Sequence, residues 1–136
     1  MARRSVADAA ATRTRILASA RSLFAAQGYA AASAREIAAA AGVTVGALFH
    51  HFGSKAGLFR AVFEILVDEL NRAAMAAFRA MPEADPLDAI VASLHVALSF
   101  AEKADFHQIV TVDGPVVLGA DEWRKIDSRM GLTTVA

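Results

Sequence analysis

Two short helices and the two-residue connection between them constrain this chain most. Ser33 with Glu36 three positions later is a capping box, in which side chain and backbone satisfy each other's free groups, so a helix is predicted to start after Ser33. Gly42 can adopt the left-handed backbone conformation that commonly ends a helix, so that helix is predicted to end there. Thr44 can cap a second helix, and Gly53 can end it. Two helices joined this tightly predict a helix-turn-helix, whose second helix can enter a DNA major groove.

Longer helices are predicted on both sides of this pair. Apolar residues recur at helical spacing from Val6 to about Gln27, where Gly28 stops the helix. Ser54 caps another helix that continues to about Ala80, and the prolines that follow break it. The sequence therefore predicts three helices in the front part of the chain and a long fourth helix behind them.

The rest of the chain is predicted to be helical as well. A fifth helix from about Leu87 to Lys103 carries one apolar stripe, from which Phe100 deviates; the stripe comprises Leu87, Ile90, Val91, Leu94 and Leu98. The segment IVTVDGPVVL fits either a β-hairpin at Asp-Gly or a helix that ends near Asp113 before another opens at Pro115. The helical alternative is favoured, because Pro115 removes an amide that a strand ladder would use. A final helix is predicted around residues 121 to 129, and the fold class is all-α.

Charge is distributed unevenly along the chain, although its net value is zero. Residues 1–60 carry eight basic and two acidic side chains, whereas residues 61–136 carry six basic and twelve acidic ones. This asymmetry indicates an anion-binding front part, with scattered surface charge as the alternative. There is no cysteine, no apolar run long enough to cross a bilayer and no secretion signal, so a cytoplasmic protein is expected.

The second helix of the pair, within GVTVGALFHHFGSK, divides into an inner and an outer face. Val43, Leu48 and Phe52 are predicted to pack inward. The outward residues are predicted to be Thr44, Val45, Gly46 and His50, with Phe49 as a further candidate. Lys55 is a cation in the first turn of the next helix, where it opposes the helix dipole, and its presence suggests an external anion such as a DNA phosphate.

The segment from about Thr12 to Leu66 resembles the DNA-binding domain of TetR-family transcriptional regulators. The resemblance rests on RILASARSLFAAQGYAAASAREIAAAAGVTVGALFHHFGSKAGLF, with its Phe-x-x-x-Gly-Tyr, Ile-Ala-x-x-Ala-Gly-Val and His-Phe motifs and a lysine at the next helix start. It implies a DNA-binding domain over residues 1–54 and a helical ligand-binding and dimerisation region over residues 55–136, incomplete relative to the family. By position it implies that the DNA surface comprises Arg35, Thr44, Phe49, His50, His51 and Lys55.

Specificity is predicted to depend little on direct base contacts. Val45, Gly46 and Ala47 offer no side chain for a bidentate base contact, so direct readout rests on Arg35, Thr44 and His50. Phe49 stands where the family usually has a tyrosine and lacks that phosphate-binding hydroxyl. For His51, packing with a hydrogen bond is an equal alternative to DNA contact. Phosphate contacts and DNA shape are expected to dominate.

In the acidic part, a set of side chains is a candidate lining for a small apolar ligand: Phe78, Leu94, His95, Leu98, His107 and Trp123. For the apolar members of this set, and for Phe106 and Ile109, packing in the core is favoured over ligand binding. For the two histidines, an ordinary surface position is favoured over ligand binding. No histidine has a partner at ligand spacing, so no metal site is expected.

The resemblance implies a transcriptional regulator, usually a repressor that binds a palindromic operator as a homodimer and is released by a small apolar ligand. The alternative is a truncated regulator that pairs with a full-length partner and does not bind DNA itself. An enzyme is not expected, because the chain has no phosphate loop, no Gly-x-Ser-x-Gly elbow and no zinc motif. Neither a cofactor nor a membrane partner is expected.

Overall fold

A computed structural model of the chain describes residues 2–131, and the backbone in that range is helical with no strand. This confirms the all-α fold class. The helices are α1 (Ala2–Gln27), α2 (Ala34–Ala41), α3 (Val45–Phe52), α4 (Lys55–Arg79), α5 (Pro86–Ala101), α6 (Ala104–Phe106), a π-helix (His107–Asp113), α7 (Gly114–Leu118) and α8 (Ala120–Gly131). The chain divides into two compact units, residues 1–62 and 63–136, which are described separately below. The functional boundary predicted after residue 54 stays a prediction.

The predicted start and stop signals of the first unit are confirmed. The Ser33 hydroxyl accepts from the Glu36 amide at 3.1 Å, and the Glu36 carboxylate accepts from the Ser33 amide at 3.0 Å, which completes the capping box. Gly42 ends α2 with φ of 69°, a left-handed conformation that glycine adopts without strain. Thr44 Oγ1 accepts from the Ala47 amide at 3.1 Å and caps α3. These local bonds fix where α2 ends and α3 begins.

The first unit has a core of fully buried side chains from all four of its helices. The members are Ile16, Ala20 and Phe24 of α1, Ile37 of α2, Leu48 of α3, and Leu58 and Phe59 of α4. The rings of Phe24 and Phe59 meet edge to face, with centroids 5.4 Å apart, and Tyr29 meets Phe59 in the same way at 5.1 Å. This aromatic cluster packs α1 against the start of α4, and Leu48 anchors α3 in the same core.

The second unit has a smaller core around the π-helix. Its buried members are Phe63, Leu66 and Val67 of α4, Ala89 of α5, Phe106 of α6, Ile109 and Val110 of the π-helix, and Ile126 of α8. The indole N–H of Trp123 donates to the carbonyl of Val110 at 3.2 Å, and so α8 bonds to the π-helix backbone. Gly114 is buried where a Cβ would lie 2.8 Å from the Phe63 ring, so a larger residue there would force neighbouring atoms to shift.

The helical alternative for IVTVDGPVVL is confirmed, since the segment forms the π-helix and α7 rather than a hairpin. The π-helix itself was not foreseen. Core packing is confirmed for Phe106 and Ile109, but it was wrong for Phe78, Leu94 and Leu98, which are exposed. The physical reason in α5 is that small residues such as Ala89 occupy the inward positions, so the large residues face out.

Candidate nucleic-acid interface

Helix α3 is held by its inner face and presents its outer face to solvent. Leu48 is fully buried, while Val43 and Phe52 are half-buried beside it. On the other side Thr44 and His50 are exposed, and Phe49 retains 39% of its surface. A helix anchored on one side and open on the other has the geometry that a groove-reading helix requires.

The residues at the start of α3 are small enough to let its backbone come close to a bound molecule. Gly46 is exposed, and a Cβ built there would have only Thr44 Oγ1 nearby, at 3.8 Å. Val45 is half-buried, so part of its side chain stays available for an apolar contact. Thr44 uses its oxygen as the acceptor of the helix cap, but its hydroxyl proton can still be donated to a phosphate. Thr44 can therefore cap the helix and bind an anion at once.

The two histidines take different positions. His50 is exposed, whereas His51 is half-buried, and their ring centroids lie 5.8 Å apart at 77°. The His51 ring lies beside that of Phe52, with centroids 6.2 Å apart. His50 thus faces outward as predicted, while His51 combines packing with partial exposure. Among residues 2–131 no group of three or more His, Asp or Glu side chains is arranged to hold a metal ion.

Arg13 of α1 contacts the end of α3, a role that the sequence did not indicate. Its guanidinium carbon lies 4.4 Å from the centroid of the Phe52 ring, and Nη1 donates to the His51 carbonyl at 3.5 Å. The bond satisfies a carbonyl in the last turn of α3, where the helix dipole favours a cation. Because 38 residues separate the two partners, no local sequence pattern could have revealed the contact.

Lys55 has a partner inside the protein. Its Nζ lies 4.3 Å from the centroid of the Tyr29 ring, and the residue is half-buried at the start of α4. The helix start is capped separately, because Ser54 Oγ accepts from the Gly57 amide at 2.9 Å. The cation–π contact offsets the unfavourable helix dipole. Lys55 therefore needs no external anion to explain its position, although its partial exposure leaves it able to contact one.

Arg35 lies in the first turn of α2 and is exposed. Its neighbour Glu36 is tied into the capping box, and the bonds from the Ser33 amide and hydroxyl lower the pKa of Glu36 below its usual 4.5. The Glu36 carboxylate therefore keeps its negative charge in mildly acidic solution. It is directed back toward Ser33, to which it is hydrogen-bonded. Arg35 supplies the outward charge of α2.

The candidate ligand-lining residues of the second unit lie in different environments. Leu94 and Leu98 share the outward face of α5, and His95 is exposed on the same helix. Phe78 of α4 and His107 of the π-helix are exposed as well, while Trp123 is half-buried with its N–H bonded to Val110. Their role in ligand binding stays a prediction.

The front part of the chain is similar to known regulators. Residues 16–62 match the family described as bacterial regulatory proteins, tetR family. The chain is 38% identical to the HTH-type transcriptional regulator AcrR of Shigella flexneri over 90 residues, and 42% identical to the regulator UidR of Escherichia coli K12 over 72 residues. These matches cover 66% and 53% of this chain, but only 41% of AcrR and 35% of UidR.

Solved structures give the same likeness over more of the chain. A TetR-family transcriptional regulator from Pectobacterium atrosepticum superposes with a TM-score of 0.72 at 34% identity, over 88% of this chain and 62% of that one. A putative tetR family regulator from Shewanella sp. PV-4 superposes with a TM-score of 0.73 at 25% identity, over 86% and 62%. The likeness of fold thus extends beyond the helix-turn-helix. Within residues 2–131, no helix combines the length and apolarity needed to traverse a bilayer.

Proposed function

We propose that the chain is a transcriptional regulator of the tetR family, whose model matches residues 16–62, and that it binds double-stranded DNA through α3. The observation that carries the proposal is the outward face of α3. Thr44, Gly46 and His50 are exposed on a helix whose opposite side is anchored by the buried Leu48. The matched relatives AcrR and UidR are HTH-type transcriptional regulators, which supports the proposal.

The outward residues fall into two kinds of contact. Thr44, Lys55 and Arg35 have donors suited to phosphate oxygens. His50 is the outward side chain of α3 that can bond a base edge, and Val45 can contact a thymine methyl group. Phe49 is exposed without a hydroxyl and supplies an apolar contact only. With so few groups for direct readout, phosphate contacts and DNA shape dominate the binding energy.

The finer parts of the proposal follow the family resemblance. A repressor bound as a homodimer to a palindromic operator would place two copies of α3 in successive turns of the major groove. A small apolar ligand that bound one conformation more tightly would shift the population away from the DNA-binding form. Trp123 is the chain's single tryptophan, so a change in its fluorescence on titration with small apolar compounds would report such a ligand.

One observation favours a second candidate function. The large side chains on α5 are exposed, as expected of a surface that associates with another protein. A chain that paired with a full-length regulator through this surface could reduce that regulator's activity without binding DNA itself. The two candidates differ in whether the isolated chain retards a duplex.

The test is binding of a duplex pool, taken from the sequence flanking the gene, as ionic strength is varied. We expect affinity to fall steeply with salt. Arg35→Ala should weaken binding and reduce the salt slope by about one. The matched control is Arg124→Ala, which removes an exposed arginine of α8 in the second unit and should change neither quantity. Failure of the unmodified chain to bind any duplex at low ionic strength would refute the proposal.

A further inference from the structure

Helix α3 has a single fully buried side chain, and it lies in the middle of the helix. Leu48 is completely buried, whereas the other large side chains of α3 keep part of their surface. The residue before the helix cap is bonded to α2, because the Val43 amide donates to the Ala38 carbonyl at 3.0 Å. The last turn of α3 lies about 6 Å from Leu48, so a tilt of about 10° would move it by about 1 Å, more than a working binding site tolerates. What contacts the last turn therefore determines how well α3 is oriented.

Arg13 contacts the last turn of α3 from α1 in two ways. Its guanidinium carbon lies 4.4 Å from the centroid of the Phe52 ring, and Nη1 donates to the His51 carbonyl at 3.5 Å. A guanidinium can stack on a ring with its face and donate from its edge, so one planar group restrains both the ring and the backbone of this turn. Its positive charge also lies at the helix end that the dipole makes negative.

The same turn is packed against the start of α4. A Cβ built on Gly57 would overlap the Phe52 carbonyl oxygen, so the backbones of the last turn of α3 and the first turn of α4 are in direct contact. Between them Gly53 has a φ of 78°, which makes the connection tight. Phe52 is thus contacted by Arg13 through its ring and by α4 through its carbonyl group.

We propose that Arg13 is a positioning residue for DNA binding, which sets the angle of α3 in the groove and does not itself contact the duplex. The inference rests on the proposed function. Phe52 follows Leu48 by four residues, so its ring lies on the inner side of α3, whereas Thr44 and His50 are exposed on the other side. A guanidinium on that ring acts on α3 from the side that faces the protein.

A positioning arginine and a phosphate-binding arginine affect DNA binding differently. An arginine that bound a phosphate would add to the affinity for every duplex, and its loss would reduce the salt slope by about one. A positioning arginine adds to the specificity ratio, which is the affinity for a preferred duplex divided by the affinity for an unrelated one. A displaced α3 still meets phosphates but loses contacts to base edges and to DNA shape.

The experiment measures binding of the full chain to two duplexes of equal length and composition while ionic strength is varied. The first duplex is the tightest-binding member of the pool taken from the sequence flanking the gene, and the second is its scrambled version. Arg13→Ala should lower the specificity ratio by about fivefold to tenfold, because the ring contact and the charge at the helix end are lost. The salt slope should stay the same.

The matched control is Arg15→Ala in the same helix. Arg15 is exposed and donates to the Thr12 hydroxyl at 3.4 Å within α1, so it has the same charge as Arg13 without the contact to α3. Arg15→Ala should leave the specificity ratio unchanged. Unaltered far-UV circular dichroism would show that the variants fold.

Two further variants separate position from charge. Phe52→Leu keeps Arg13 but removes the ring, and it should lower the specificity ratio as Arg13→Ala does. The double variant should lower the ratio no further, because both substitutions remove the same contact. Arg13→Lys keeps the charge but loses the planar group, so it should restore the ratio only in part. A phosphate-binding arginine would be replaced well by lysine and would be insensitive to Phe52→Leu.

Amide hydrogen exchange tests the same contact without DNA. The Gly53 amide donates to the Phe49 carbonyl at 2.7 Å and closes the last turn of α3. Arg13→Ala should speed the exchange of this amide several-fold, whereas the Val43 amide at the other end should exchange as in the unmodified chain. Arg15→Ala should change neither amide.

Several results would overturn the inference while the proposed function stands. In each of them the unmodified chain binds DNA, and Arg13→Ala leaves the specificity ratio unchanged, reduces the salt slope by about one, or leaves the exchange of the Gly53 amide unaltered. A chain that binds neither duplex at low ionic strength gives a different result, since it refutes the proposed function and the inference together.

Discussion

The two units differ in where they keep their large apolar side chains. Of the described large apolar residues in the first unit, Val6 and Phe49 are the exposed ones, whereas ten are exposed in the second. The first unit encloses an aromatic core between α1 and α4. The outer face of its helix α3 is exposed and carries mainly polar and small residues. The contrast teaches that the helices of the first unit bury nearly all of its large apolar side chains, whereas those of the second unit leave many of them on the surface. The predictions below test this contrast.

The largest effect should come from the closed core. Phe59→Ala should lower the free energy of unfolding by about 3–5 kcal/mol, because a fully buried ring between Phe24 and Tyr29 is lost. Leu98→Ala, on the exposed face of α5, should cost less than about 0.5 kcal/mol in dilute solution. Urea unfolding at low protein concentration measures both. Equal costs for the two substitutions would contradict the contrast.

Two glycines should respond to alanine with opposite signs. Gly114→Ala should destabilise the second unit by about 1–3 kcal/mol, since the new Cβ would lie 2.8 Å from the Phe63 ring and 3.2 Å from Trp123. Gly46→Ala should stabilise the first unit by up to about 1 kcal/mol, because alanine favours helix and its Cβ would make only an ordinary contact with Thr44 Oγ1, at 3.8 Å. Thermal unfolding followed by Trp123 fluorescence and by far-UV circular dichroism distinguishes them. A stabilising Gly114→Ala would show that this core is loosely packed.

The cap of α3 should have an intermediate effect. Thr44→Ala removes the acceptor for the Ala47 amide and should cost about 1 kcal/mol. Thr111→Ala, at an exposed position of the π-helix, should change the free energy of unfolding by less than about 0.5 kcal/mol. Urea unfolding again gives both values. If Thr44→Ala proved neutral, the cap would contribute nothing to the rigidity of α3.

The smallest effect should be a pH dependence in the first unit. The pKa of Glu36 is lowered in the folded state, so its charge stabilises that state above the usual pKa of 4.5 and the stabilisation is lost as the pH falls through the lowered value. Wild type should therefore exceed Glu36→Gln in melting temperature at neutral pH, and the difference should shrink in acid. Ser33→Ala, which removes the partner hydroxyl, should weaken the same dependence. A difference that grew in acid would have the wrong sign.

The sequence was sufficient for the first unit because its signals are local. The capping box at Ser33, the glycine stop at Gly42 and the cap at Thr44 each act over three or four residues, and all were found where predicted. In the second unit the helical character was foreseen, but neither the π-helix nor the orientation of α5 was. A stripe of large residues predicts an interaction surface and does not say whether the same unit or another molecule covers it.

Local sequence signals also predicted part of the candidate site, but not the contacts that depend on how the helices pack. The outward positions of Thr44, Gly46 and His50 follow from the helical period once Leu48 is placed inside. The contacts of Arg13 with Phe52 and of Lys55 with Tyr29 depend on how helices pack, and each joins residues far apart in sequence. Charge alone suggested that such cations face DNA, and the fold shows that the protein also uses them internally.

The π-helix over residues 107–113 affects where insertions and deletions are tolerated among relatives of this chain. A π-helix holds more residues per turn than an α-helix, so it can accommodate an inserted residue while the flanking helices keep their places. On the C-terminal side of the π-helix, the hydrogen bond from Trp123 to the Val110 carbonyl and the close packing of Gly114 against Phe63 fix the positions of α7 and α8. When more distant relatives are aligned, a one-residue gap should therefore fall inside this helix and not in a loop, and chains that lack the residue should have an uninterrupted α-helix here.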